Sequence, residues 1–115
     1  MPLLKLETTV TLAADKERNL LAALSKIVAT TIGKPEQYVM VTINRAAMVM
    51  SGKPGDAAFA DIRSIGGLTA EVNRKLSQQV GKLLTETLGT PPERIYLNFT
   101  EVDAANWGWN GGTFG

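Results

Sequence analysis

Apolar residues recur along this chain in two rhythms. PLLKLETTV, from Pro2, alternates apolar and polar positions as a half-buried strand does. Leu20, Leu21, Leu24, Ile27 and Val28 then fall at helical spacing between about 14 and 31, Gly33 stands where a helix commonly ends, and Pro35 forbids continuation. YVMVTI, from Tyr38, is short and rich in β-branched residues, which predicts another strand. The same order then returns. FADIRSI from Phe59 reads as a strand, Val72, Leu76, Val80, Leu83, Leu84 and Leu88 as a helical stripe, Gly89 and Pro91 as its stop, and RIYLNF from Arg94 as the strand that follows.

The recurrence is a repeat. A shift of 56 residues lays KIVATTIGKPEQYVMVTI, from Lys26, over KLLTETLGTPPERIYLNF, from Lys82. Lys26/Lys82, Thr31/Thr87, Gly33/Gly89 and Pro35/Pro91 are identical, and Ile27/Leu83, Val28/Leu84, Ile32/Leu88, Val39/Ile95 and Val41/Leu97 match in kind. We therefore expect a single domain over residues 1–115, made of pseudo-repeats at about 2–56 and 57–115. Each copy reads as strand, helix, strand. Two such units predict an α+β, two-layer fold: a duplicated β-α-β unit giving a four-stranded mixed sheet with both helices on one face. The other face would be bare. Leu4 against Lys5, and Val39 and Val41 against Met40 and Thr42, make it neither fully polar nor suited to water, so an oligomer of closed symmetry with sheets covering one another is expected. Between the copies, SGKPGD is a turn signal. The closing EVDAANWGWNGGTFG is glycine-rich but holds Trp107, Trp109 and Phe114, too many large aromatics for a free tail.

Composition narrows the chemistry. The chain has 115 residues, 44% hydrophobic and 20% charged, the balance of a globular protein with one core. Its formal charge is +1 and no Lys/Arg cluster stands out, so neither nucleic acid nor an anionic membrane is an expected partner. Cysteine and histidine are both absent, which removes disulfides, thiolate nucleophiles, Cys/His zinc sites and imidazole triads. No signal peptide or long apolar run is evident, and a cytoplasmic location is expected. An acid or base must come from carboxylates, lysine, tyrosine or the amino terminus.

The second residue bears on that last source. Proline has no amide hydrogen for a ladder and is tolerated at the first residue of a strand. Removal of the starting methionine, usual before a small residue, would expose the secondary amine of Pro2, a candidate base.

Taken together, the initial MP, IGKPEQYVMV from Ile32, SIGGL from Ser64, PPERIYLNF from Pro91 and DAANWGWNGGTF from Asp103 resemble the macrophage migration inhibitory factor (MIF) family of the tautomerase superfamily, across nearly the whole chain. The resemblance implies a trimer with active sites at subunit boundaries and keto-enol tautomerase activity on phenylpyruvate-like or dopachrome-like carboxylates. It implies no cofactor and no metal, with a small 2-oxo acid or its enol as the partner. Processed Pro2 would be the general base. An α-amino group titrates near pH ~8, and both an apolar pocket and a nearby cation favour its neutral form.

Lys34, within IGKP, would be that cation and would also hold the substrate carboxylate, with the Ile65 amide as a second donor. Its repeat partner is Thr90, so the fold itself does not require a lysine there. Tyr96 and Asn98, two apart and so on one strand face, resemble residues that an adjacent subunit contributes. Tyr38 and Trp109 resemble aromatic members of the pocket rim. Trp107 departs from the family, which commonly has a smaller aliphatic residue there, and its indole would narrow the pocket or change which rings enter. A second departure is Ala57-Ala58-Phe59-Ala60 in place of a Cys-x-x-Cys pair, which excludes thiol-disulfide chemistry. A binding or signalling trimer with weak or vestigial tautomerase activity is the alternative expectation.

Overall fold

The alternation that opens the chain becomes β1, Pro2–Thr8, in the computed structural model, which describes residues 1–115. Pro2, Leu4, Leu6 and Thr8 turn inward, while Lys5 and Glu7 face out. There follow α1 (Ala14–Ile32), β2 (Met40–Arg45), β3 (Ala58–Ser64), α2 (Ala70–Leu88) and β4 (Ile95–Glu101). The shift of 56 carries β1 onto β3 and α1 onto α2 without adjustment.

The sheet order is β2-β1-β3-β4, with β1 and β3 antiparallel at the centre and each parallel to its own copy's second strand. This is the mixed four-stranded sheet that the duplicated unit predicts. Leu20, Leu24 and Val28 of α1 and Leu76, Val80 and Leu84 of α2 form one core with Leu4, Leu6, Ala60 and Ile62 of the central strands. Full burial of each large aliphatic side chain contributes about 1.5–3 kcal/mol. Neither helix is long and apolar enough to cross a membrane.

The helix ends follow local chemistry. The Thr69 hydroxyl accepts the Val72 N–H at 3.1 Å and caps α2, whereas α1 has no side-chain cap and relies on Asp15 and Glu17 against its amino-terminal dipole. Gly33 (φ +79°) and Gly89 (φ +74°) end the helices in the left-handed region, donating to the Ala29 and Thr85 carbonyls.

One element differs from the sequence reading. Tyr38 lies in a 3₁₀ turn, Glu36–Tyr38, and β2 begins only at Met40. Pro35 (φ −60°) starts that turn, and its carbonyl accepts the Tyr38 N–H at 3.1 Å, so the tyrosine leaves the ladder. The tail, in turn, folds into a hairpin of β5 (Gly108–Trp109) and β6 (Gly112–Thr113). Asn110 (φ 52°) and Gly111 (φ 80°) supply its left-handed turn.

The outer sheet face is mixed rather than apolar. Its rows are Met40-Leu3-Arg63-Thr100, Thr42-Lys5-Asp61-Asn98 and Asn44-Glu7-Phe59-Tyr96. Met40 and Tyr96 are well exposed, while the Thr42 hydroxyl is buried without a partner.

Candidate active site

Proline at the head of β1 costs the ladder nothing, since only its N–H is missing and its neighbour Ser64 lies at the end of β3. The Pro2 ring is fully buried. A cleft of about 530 Å³ opens beside it at that end of the sheet. Pro2, Leu3 and Met40 come to it from the sheet, Tyr38 from the 3₁₀ turn, and Trp107 and Trp109 from the tail. Three anchored rings form its wall. Trp109 stacks on Phe114 with centroids 5.8 Å apart and meets Tyr38 edge-on at 6.4 Å. The Phe114 N–H donates to the Trp107 carbonyl at 3.1 Å, which ties the chain end to the wall.

The amino terminus lies in this cleft, at Met1. Its pKa is lowered from the ordinary 8.0, first by burial and then by the Lys34 ammonium. Lys34 leaves α1 just after Gly33 and has no carboxylate partner. Its side chain passes over the loop after β3: a Cβ on Gly66 would stand 3.7 Å from Nζ, and one on Gly67 3.7 Å from Cε. Both glycines have positive φ. Glu101, at the end of β4, fastens that loop by accepting the Gly66 N–H at 3.1 Å and the Leu68 N–H at 2.9 Å. The Ser64 hydroxyl adds a bond to the Gly66 carbonyl at 2.7 Å. Between these ties the Ile65 N–H has no acceptor within the chain.

Of the residues singled out from the sequence, Pro2, Tyr38, Trp107 and Trp109 share the cleft, and Lys34 and the Ile65 loop adjoin it. Tyr96 and Asn98 do not. They lie on the outer face of β4, separated from β1 by β3, and Tyr96 pairs with Phe59 toward the opposite end of the sheet. Arg63 and Phe114 also line the cleft and were not assigned to it from sequence. The Asn110-Gly111 pair is a hairpin signal that would have folded Phe114 back. The placing of Arg63 beside Leu3 depends on strand register, which a period of two does not provide. No group of three or more His, Cys, Asp or Glu side chains is arranged to hold a metal.

Residues 1–115 match the sequence model of the macrophage migration inhibitory factor family. The chain is similar to a macrophage migration inhibitory factor homologue from Trichuris trichiura, 36% identical over 115 residues, covering 99% of this chain and 100% of that one. Among solved structures it resembles the macrophage migration inhibitory factor homologue from Prochlorococcus marinus (TM-score 0.93, 37% identity, 98% of this chain and 99% of that one). It also resembles Pt0534 inactivated by 2-oxo-3-pentynoate (TM-score 0.85, 26% identity, 96% and 93% covered).

Proposed function

The chain belongs to the macrophage migration inhibitory factor family, and from that premise we propose that it is a cofactor-independent keto-enol tautomerase of phenylpyruvate-like or dopachrome-like carboxylates, with Pro2 as its base. The observation that carries this reading is the amino end of the chain in an aromatic-walled cleft, its amine already inclined toward the neutral form by burial and by Lys34. Loss of Met1 would move the terminal nitrogen onto Pro2, the first residue of β1. A neutral secondary amine there abstracts a proton from the carbon next to the ketone. The C–H electron pair forms the carbon–carbon double bond, the carbonyl π pair moves to oxygen, and return of the proton from the protonated amine to that oxygen gives the enol; the reverse path restores the ketone.

Lys34, free of any internal carboxylate, and the unpartnered Ile65 N–H suit the substrate carboxylate. Tyr38, Trp107 and Trp109 suit a flat ring. Tyr96 and Asn98 are exposed on the outer face of an edge strand, which fits residues offered to the cleft of a neighbouring copy in a homotrimer. That the related Pt0534 is inactivated by a 2-oxo acid supports the substrate class.

The test is decay of enol-phenylpyruvate ultraviolet absorbance, using protein whose loss of Met1 is verified by intact mass. Pro2→Gly, which keeps a primary amine but loses the ring, should cut turnover by on the order of 10²-fold or more. Turnover unchanged in that variant refutes the mechanism. Decay no faster than in buffer, even for the processed parent, favours a binding or signalling trimer.

A further inference from the structure

Arg63 is the sole charged side chain lining the cleft. It lies on β3 opposite Leu3, one position before the residue that pairs with Pro2, and it projects onto the outer face of the sheet. Lys34 approaches the same amino end from the helix layer. Arg63 thus enters the cleft from the outer face of the sheet, while Lys34 adjoins it from the helix layer.

The guanidinium is held from one side. Nε at 3.3 Å and Nη2 at 3.1 Å both donate to a single oxygen, Asp61 Oδ2, and Nη1 has no partner in the chain. Asp61 does not line the cleft, and the Arg63 side chain remains 51% exposed against 19% for its partner. Such a fork, anchored behind and open in front, is suited to a planar carboxylate.

The repeat supplies a control within the same molecule. At the other end of the sheet is a groove of about 330 Å³ lined by Ala57, Ala58, Phe59, Tyr96 and Glu7. Under the shift of 56 these answer to Met1, Pro2, Leu3, Met40 and Arg63. Glu7 therefore occupies the place of Arg63 with the opposite charge. The fold does not require a cation at this position.

We propose that Arg63 selects substrates carrying a second anionic group, so that the preferred ligand is a 2-oxo acid with a further carboxylate, one end held at Lys34 and the other at Arg63. The proposal rests on the tautomerase reading for the 2-oxo end only. An ordinary surface ion pair with Asp61 is the competing account, and it predicts no ligand preference.

The experiment compares phenylpyruvate with its 3-carboxy and 4-carboxy analogues as substrates of the Met1-processed protein. Binding of the unreactive cinnamate and its 3- and 4-carboxy analogues is followed in parallel by quenching of Trp107 and Trp109 fluorescence. We expect KM and Kd for at least one ring-carboxylated compound to fall below those of the parent compound by roughly tenfold to a hundredfold, as hydrogen bonds between charged groups allow. Arg63→Met should bring that ratio to about one, and Arg63→Lys, a point charge without the fork, should keep part of it. Equal treatment of all three compounds, or a preference that survives Arg63→Met, overturns the proposal. Absent turnover with the binding ratio intact overturns the tautomerase reading and leaves the Arg63 site standing.

Discussion

Gly66 and Gly67 are neighbours with nearly the same backbone, φ +77° and +85°, yet alanine at each should behave differently. Either substitution places an L side chain in the left-handed region, at about 1–2 kcal/mol. A Cβ on Gly66 meets only the Lys34 ammonium, at an ordinary 3.7 Å. A Cβ on Gly67 would stand 2.7 Å from Ile32 Cγ2 and 3.3 Å from the Ile32 carbonyl oxygen. Ile32 cannot easily yield, since it is buried in the core, its χ1 is fixed by β-branching, and its carbonyl belongs to the last turn of α1. Overpacking of that kind adds about 1–3 kcal/mol. Gly67→Ala should therefore cost about 2–5 kcal/mol and Gly66→Ala about 1–2. Urea unfolding of both variants measures the difference through the midpoints, provided the slopes agree. The loop pushed off Ile32 carries the Ile65 amide, so Gly67→Ala should also raise KM for phenylpyruvate more than Gly66→Ala does. Equal midpoints for the two variants would refute the assigned clash.

Lys34→Met should raise KM for a 2-oxo acid by roughly tenfold to a hundredfold, the value of a charged hydrogen bond. Burial and then Lys34 lower the pKa of the Met1 amine, and under the proposed mechanism the same cation acts in the same direction on the Pro2 amine once Met1 is lost, so the rate should rise with pH as that amine becomes neutral and the variant's rising limb should move to higher pH. A pH profile of kcat/KM checks this: the variant should lose more at pH 6.5 than at pH 9, and coincident limbs would remove Lys34 from the amine's surroundings. Leu24→Ala, which empties a fully buried position between α1 and the sheet, should cost about 2–5 kcal/mol of unfolding free energy, measured by the same urea titration. A loss below 1 kcal/mol would mean that the helix face is not packed as described.

The layers were legible in the sequence because periodicity and stop signals are local. Gly33 before Pro35, and Gly89 before Pro91, ended both helices where the structure ends them. The site was legible only in part, because a strand's rhythm says which face a residue takes and not which residue stands beside it. Arg63 reads from sequence as one outward residue of β3, and becomes a cleft residue through the register that sets it against Leu3. Tyr38 reads as strand, and joins Trp109 because Pro35 starts a turn instead. Gly66-Gly67 belongs to the SIGGL motif, but its purpose depends on Ile32 and Lys34 arriving from the other side of the loop.

The duplication makes two ends built from matching elements, and their residues differ in ways that bear on the proposed chemistry. At the first, Met1 precedes β1 and its amine lies in the cleft. At the second, Ala57 and Ala58 occupy the matching places inside a continuous chain, where the nitrogen is an amide and no base. The remaining differences follow the same division. Lys34 lies half-buried over the Gly66-Gly67 loop beside the first end, whereas its counterpart Thr90 is buried, its carbonyl accepting the Thr85 hydroxyl at 2.8 Å. Tyr38 walls the cleft, whereas its counterpart Arg94 turns to the connecting segment and donates to the carbonyls of Met50, Lys53, Gly55 and Asp56. That segment lines the second groove through residues 46–50 as the tail hairpin walls the first cleft. An arginine with four carbonyl acceptors secures a loop, while a tyrosine edge-on to a tryptophan leaves room for a ring. Both ends leave a cleft, of about 530 and 330 Å³, but the first combines the amino end of the chain with Lys34 and Arg63, whereas the second has Thr90 and Glu7 at the corresponding places.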